Sequence, residues 1–382
     1  MADKAPTRSG VSPALGRLFA ELQSEGARVE GEVGGRTGGA GPSDAGMVLV
    51  EGVPLTFPFL SHYATTSRFV LRQEDHAWGL YRQEARVATV TVPARPRFYD
   101  LATEEGIPYW KIALLHLDSL ASTVVQTCAY WGTDDQCRFC GIQVSLETGQ
   151  TIAVKKPEQL AQAAVAARDL DGAVDVTLTT GTTGSADKGA GYIAGCAAAV
   201  KQASGLPVQA QFEPPPDVEV LAEVADRGVD AVGMHVESFD PQVLARVAPA
   251  KARAGIDHYF RAWRRAVDLF GPGQVSTYVI LGMGEDPELT ARRCREAIDL
   301  GVYPFLVPLR PVPGSRMADC LPPAPDYVDA MYRRVVPHLA QRGLFSADVT
   351  AGCARCQACS SMSAYEDLTD GHDRMDLPVF SS

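Results

Sequence analysis

The sequence lacks any apolar run approaching the roughly 20 residues that span a bilayer. Its opening stretch, Met1 to Gly10, has no apolar signal core, so a cytoplasmic location is expected. Basic clusters are missing as well. With 35 Lys and Arg against 46 Asp and Glu, the net charge is −11. That balance argues against nucleic acid or an anionic membrane as a partner. The glycine-rich stretch from Gly31 to Gly46 lacks a strand before it and a helix after it. It therefore reads as a flexible connection and not as a dinucleotide or phosphate loop. A disulfide framework is also disfavoured: nine cysteines is an odd number, in a chain with no export signal. Metal binding is the better use for them.

What is present is length and alternation. A chain of 382 residues suggests one large domain with appendages, or two domains. Residues 1–11 are expected to be disordered. Ser12-Pro13 then starts a helix that carries Leu15, Leu18, Phe19 and Leu22 on one face. Short runs rich in branched and aromatic residues follow at Val48–Val50, Phe69–Arg72, Trp78–Arg82 and Val87–Val92, and predict a small antiparallel unit. From Ser122 onward, β-type runs alternate with helical ones. The strands are expected at Ser122–Gln126, Asp175–Thr180, Val208–Phe212, Ala231–Val236, Val275–Leu281 and Tyr303–Pro308. Helices are expected at Pro157–Leu170, Gly191–Ser204, Asp217–Arg227, His258–Phe270, Pro287–Leu300 and Asp326–Arg342. Such alternation implies an α/β fold with parallel strands joined by crossovers. Six units are too few for a closed eight-fold barrel. The expected division is 1–46 as a flexible N-terminal segment with one helix, 47–115 as a β-rich unit, 116–320 as the main domain, and 321–382 as a C-terminal helix with a cysteine segment.

Cys128, Cys137 and Cys140 lie within thirteen residues, directly after the first of these strands. Thiolates are soft ligands and favour iron–sulfur clusters or zinc. Three ligands on a four-position centre leave one position open for reaction. On these residues alone, a zinc site or three unconnected core cysteines stays open. The loop, with Phe139 just before its last cysteine, resembles the cluster loop of radical S-adenosylmethionine (SAM) enzymes. The spacing departs from the common C-x3-C-x2-C of that family. At C-x8-C-x2-C it resembles a radical SAM protein encoded in nitrilase gene clusters, within the biotin-synthase-like branch.

The resemblance implies a partial (β/α)6 TIM-like barrel with a [4Fe–4S] cluster on Cys128, Cys137 and Cys140. It implies that SAM binds the fourth iron. An electron then splits SAM into methionine and a 5′-deoxyadenosyl radical, which abstracts hydrogen from a small-molecule substrate. An electron donor such as flavodoxin or ferredoxin would be a partner, and nitrile-related metabolism a context.

In such barrels the chemistry gathers at the C-terminal ends of the strands. After strand two come Thr180, Gly181 and Thr182, where the family often carries a glutamate that this sequence lacks; the plain alternative is a glycine-rich turn. Strand three ends in Glu213, facing either the cavity or the rim. Strand four carries His235, Glu237 and Ser238; a carboxylate and a hydroxyl there suit ribose hydroxyls and a ligand ammonium, while a lone histidine is more often structural. Arg253, with Lys251 in reserve, matches a basic residue that approaches the SAM carboxylate in the related branch; the alternative is a surface ion pair of little worth. Strand five gives Ile280, Gly282 and Glu285, matching the family pattern G-x-I-x-G-x-x-E, with Tyr278 replacing its first glycine. Arg310, after strand six, is a candidate substrate contact at the open top.

A second group, Cys353, Cys356 and Cys359, repeats the C-x2-C spacing and resembles iron–sulfur ligation in ferredoxins. Cys320 is the candidate fourth ligand, structural zinc is the alternative, and Cys196 and Cys294 are expected in helix cores. Two rival readings of the whole chain remain at this point. One is a zinc-dependent lyase or hydrolase on an α/β barrel, the other a non-catalytic iron–sulfur electron-transfer protein.

Overall fold

The computed structural model describes residues 11–31, 45–74 and 77–366. The expectations for residues 1–10, for most of the glycine-rich stretch and for the tail from residue 367 fall outside them. Helix Pro13–Glu25 starts as expected: the Ser12 hydroxyl accepts from the Leu15 N–H at 3.2 Å. It buries Leu18, Phe19 and Leu22.

The first sheet has six strands in the order β1-β4-β5-β6-β2-β3. They are β1 (Arg28–Glu30), β2 (Ala45–Val50), β3 (Val53–Pro58), β4 (Phe69–Glu74), β5 (Ala77–Arg82) and β6 (Ala85–Thr91). All pairs are antiparallel except β1 with β4, which corrects the purely antiparallel unit expected. At three residues, β1 is too short to carry a readable period. The sequence reading also missed β3, because Pro54 and Pro58 argue against a strand; it is tolerated here because β3 is an edge.

The second sheet has seven strands in the order β13-β12-β11-β10-β9-β8-β7. Strand β7 (Leu114–His116) forms an antiparallel hairpin with β8 (Ser119–Val125). From β8 onward every neighbour is parallel: β9 (Asp175–Thr180), β10 (Val208–Gln211), β11 (Ala231–Gly233), β12 (Val275–Leu281) and β13 (Val302–Pro308). These six parallel strands with helices between them are the partial (β/α)6 barrel. Helix entries are set by local chemistry. Asp240 and Asp286 each precede a proline, and their carboxylates accept from Gln242 N–H at 2.9 Å and Leu289 N–H at 2.7 Å.

Strand β11 ends three residues before its expected limit. The Tyr278 N–H on the neighbouring strand is taken by His235 Nδ1 at 3.1 Å, so this donor is lost to the ladder. One apolar core runs from Phe19, Phe57 and Phe69 through Trp263, Phe305 and Tyr332. The long helix Pro325–Gln341 lies against the first helix, where the Tyr332 hydroxyl donates to Gln23 at 3.2 Å. Among the described residues no helix is long and apolar enough to cross a membrane.

Candidate functional site

The first cysteine loop is pinned at both ends by one side chain. Gln126, fully buried just after β8, donates to the Ile142 carbonyl at 2.7 Å and to the Ser145 hydroxyl at 3.3 Å. Its own oxygen accepts from the buried Lys155 ammonium at 3.1 Å. The middle of the loop is tied to the barrel rim. Ala129 N–H reaches the Thr182 carbonyl at 2.8 Å, and Arg138 N–H reaches the Val247 carbonyl at 2.7 Å. Gly181 lets the loop approach: a Cβ there would stand 2.0 Å from the Thr127 carbonyl oxygen. Its visible role is this close packing, beside the cofactor contact expected for it.

The three thiols share one electrostatic neighbourhood. Burial raises Cys137 and pushes Cys140 up to about 11, and Cys128 adds to both shifts. Among the described residues no three His, Cys, Asp or Glu side chains gather closely enough to hold a single metal ion. A four-iron cube needs no such closeness, because each thiolate takes its own iron. Three soft thiolates on one loop are a donor set that an iron–sulfur cluster takes.

Phe139 and Ile280, drawn from two distant motifs, meet at the strand ends. Ile280 is buried with Leu244, Met283, Leu309 and Met317, and Cys137, Phe139 and Cys320 pack against this cluster. Cys320 thus belongs beside the first cysteine loop, which corrects its expected place with the C-terminal cysteines. Gly282 adopts φ 98°, and a Cβ there would meet Pro323 at 2.7 Å. Glu285 turns back on its own loop. Its oxygens accept from Gly282 N–H at 2.7 Å, Met283 N–H at 2.8 Å and the Tyr327 hydroxyl at 2.6 Å. It shapes the loop and has no carboxylate oxygen free of these bonds.

Strand four supplies a buried ion pair. Lys251 Nζ stands 2.6 Å from Glu237 and donates to the His235 carbonyl at 2.8 Å. Glu237 has φ 68°, a left-handed conformation that costs a non-glycine residue about 1 kcal/mol or more. Burial raises its carboxyl, with Lys251 opposing. His235 stacks on Tyr278 at 4.3 Å, and burial together with Lys251 lowers it to about 3. It is neutral, and its Nε2 is buried without a partner. Ser238 accepts from Asp240 N–H at 3.2 Å and shapes the turn.

The Arg253 side chain is 62% exposed and pairs with Asp135 at 2.6 Å, the surface ion pair weighed against its cofactor role. Lys251, the reserve candidate, holds the interior position. On the rim, Thr182 donates to Glu213 at 2.8 Å, Tyr130 donates to Glu213 at 3.2 Å, and Lys188 donates to Tyr130 at 2.8 Å. Tyr130, Lys188, Glu213 and Arg253 line a cavity of about 460 Å³. Thr180 bonds locally to the Gly181 carbonyl at 2.9 Å.

Residues 132–294 match the radical SAM superfamily. The chain contains a radical SAM domain. The matched stretch includes Cys137 and Cys140 and begins four residues after Cys128. A relative from Chlorobaculum limnaeum, bacteriochlorophyllide c C-7(1)-hydroxylase, is 29% identical over 125 residues, which is 32% of this chain and 31% of that protein. The chain thus matches less than a third of that relative's length. Among solved structures, methylornithine synthase aligns with TM-score 0.47 and 16% identity over 71% of this chain and 78% of that one. A radical SAM methyltransferase from Sphaerobacter thermophilus aligns with TM-score 0.43 and 16% identity over 73% and 74%. The superfamily uses a [4Fe–4S] cluster and SAM.

The second cysteine group lies beyond the matched radical SAM domain in sequence but inside the barrel in space. Gly352 N–H donates to the buried Asp175 carboxylate at 2.7 Å, at the start of β9. Arg355 bonds Asp175 at 2.7 Å and Asp118 at 2.7 Å. Cys353 lies against Gln211 and Tyr278. Arg310 is not at the open top, which corrects that expectation: it donates to the Thr56 carbonyl of β3 at 2.5 Å and stands near Cys359. Cys196 and Cys294 are fully buried in helices. Gln126, Lys155, Tyr130 and Lys188 were missed in the sequence because each is polar without a motif. Tyr278 was seen only as the residue replacing a glycine.

Proposed function

We propose that the protein is a radical SAM enzyme acting on a small-molecule substrate. The observation that carries this reading is the junction of Cys137, Phe139 and Ile280 in one apolar cluster at the C-terminal ends of the parallel strands. Cys128, Cys137 and Cys140 are the residues to hold a [4Fe–4S] cluster. When bound, that cluster supplies the electron that splits SAM, delivered from a donor such as flavodoxin or ferredoxin.

The chain's own residues do the rest. Ile280 and Phe139 offer an apolar wall for a flat ring, and Gly282 keeps the backbone open beside it. Glu237 suits ribose hydroxyls and Lys251 a carboxylate, so the pair they form here would exchange partners on SAM binding. The half-barrel excludes water and holds the reacting hydrogen in place. The cysteine spacing, similar to that of the nitrilase-cluster protein, directs the first substrate trials to nitriles and their precursors.

The test is anaerobic reconstitution with iron and sulfide, followed by dithionite and SAM, with 5′-deoxyadenosine quantified. Wild type is expected to form it and Cys140→Ala is not. Product from Cys140→Ala, or a wild-type protein that takes up zinc and no iron–sulfur cluster, would overturn the proposal.

A further inference from the structure

We infer that Cys353, Cys356 and Cys359 hold a second, buried iron–sulfur centre with three cysteine ligands and one position filled by a group other than cysteine. The chain around them is a rigid cradle. Helix Cys353–Cys356 follows Gly352, where a Cβ would stand 2.0 Å from the Gln209 side-chain oxygen. That oxygen accepts from the Cys353 N–H at 3.2 Å. Arg355 clamps the segment to Asp175 and Asp118, and the Thr56 N–H holds the Ala358 carbonyl at 2.7 Å. Preorganised ligands on fixed elements are what a metal site requires.

The polar groups that meet the sulfurs are mostly donors. Gln211 Nε2 donates to Cys353 Sγ at 3.2 Å, the Tyr278 hydroxyl bonds the same sulfur, and the Arg310 guanidinium stands near Cys359. The one acceptor is the His116 carbonyl, 4.0 Å from Cys356 Sγ. An amide N–H, a phenol and a guanidinium suit anionic sulfur, and such hydrogen bonds tune cluster potentials. Arg310 Nη1 is also buried without a partner. A buried charged donor left unpaired is costly unless an anion completes it. Cluster sulfide or a thiolate would be that anion.

The number of cysteine ligands follows from where the remaining thiols sit. The other six cysteines are placed elsewhere. Three are in the first loop, Cys196 and Cys294 are in helix cores, and Cys320 packs on the apolar cluster that Cys137 also touches. No cysteine among the described residues is left to complete the set.

The experiment uses two triple variants of the full chain, reconstituted anaerobically with iron and sulfide. Iron, sulfide and zinc are assayed, the reduced proteins are examined by electron paramagnetic resonance, and circular dichroism checks folding. Cys128→Ala/Cys137→Ala/Cys140→Ala is expected to retain about half of the wild-type iron and sulfide, together with a reducible cluster signal. Cys353→Ser/Cys356→Ser/Cys359→Ser is expected to lose the complementary half. A first-loop variant that is folded but free of iron and sulfide, or that holds zinc alone, overturns the inference. So does a C-terminal variant with undiminished iron, whatever the first-loop variant does. Metal content is read without SAM, so a failure of the radical chemistry would leave this result standing, and the reverse.

Discussion

Lys251 Nζ lies 2.6 Å from the Glu237 carboxylate, with only 14% and 9% of the two side chains exposed, at the end of the fourth parallel strand. Both charges are largely withdrawn from solvent. The ammonium also reaches the His235 carbonyl, so one lysine fixes both ends of a strained turn.

Removing one partner should be costly. Lys251→Met leaves a buried carboxylate and is expected to lose about 3–5 kcal/mol, whereas Lys251→Met/Glu237→Met recovers most of it. In the single variant only burial acts on Glu237, which raises the folded-state carboxyl above its unfolded value. The carboxyl is then favourable below about pH 4.3 and unfavourable above, so the deficit grows as pH rises. Thermal unfolding of the anaerobic proteins at several pH values measures it. Equal stability of single and double variants would refute the argument.

Gly181 gives a steric prediction. A Cβ at this position meets the Thr127 carbonyl oxygen at 2.0 Å and its carbon at 2.8 Å, and both are backbone atoms that cannot rotate away. Gly181→Ala should cost about 1–3 kcal/mol and displace the base of the first cysteine loop. Gly184→Ala, three residues on, meets nothing within 4 Å and serves as the control. The expected readout is reduced iron uptake for the first and unchanged uptake for the second.

The barrel was legible because β-type runs alternate with helical ones and its helices end at or next to glycine. Asp175–Thr180 and Val275–Leu281 fall where their residues indicate. The site was legible only along the chain. Cys137 and Ile280 each lie in a local motif, and the sequence places both at strand ends. Arg253 against Lys251 could not be decided that way. Both are basic, two residues apart on helix Pro249–Ala254, and only packing turns one inward. Cys320 was assigned by proximity in sequence to the C-terminal cysteines, while the return of the chain from β13 carries it to the other cysteine loop. Arg310 was taken as open because the first sheet, whose β3 covers it, reads as a separate unit.

His235 should give the fold an acid sensitivity. Burial and Lys251 lower its folded-state value to about 3, against about 6.5 when unfolded. The unfolded chain therefore binds the extra proton first. The stability this residue contributes is complete above about pH 6.5 and is lost as pH falls toward 3. Between pH 7.5 and 5.5 wild type should lose about 1.4 kcal/mol more than His235→Gln. Matched pH dependence of the two proteins, measured by thermal unfolding, would show that the ring is not held neutral.

Tyr278 lies between strand four and the C-terminal cysteines, stacking on His235 on one side and bonding Cys353 on the other. Tyr278→Phe keeps the ring and its stacking but removes the hydroxyl from the sulfur. A cluster sulfur that loses a hydrogen-bond donor holds an added electron less well, so the potential of the second centre should fall. The first centre, whose cysteines Tyr278 does not bond, should keep its potential. Redox titration followed by electron paramagnetic resonance separates the two signals. Iron content equal to wild type shows that the substitution has acted on the centre's electronics and not on its assembly. A shift confined to the first centre would mean that the hydroxyl acts through the His235 and Lys251 side of the barrel instead.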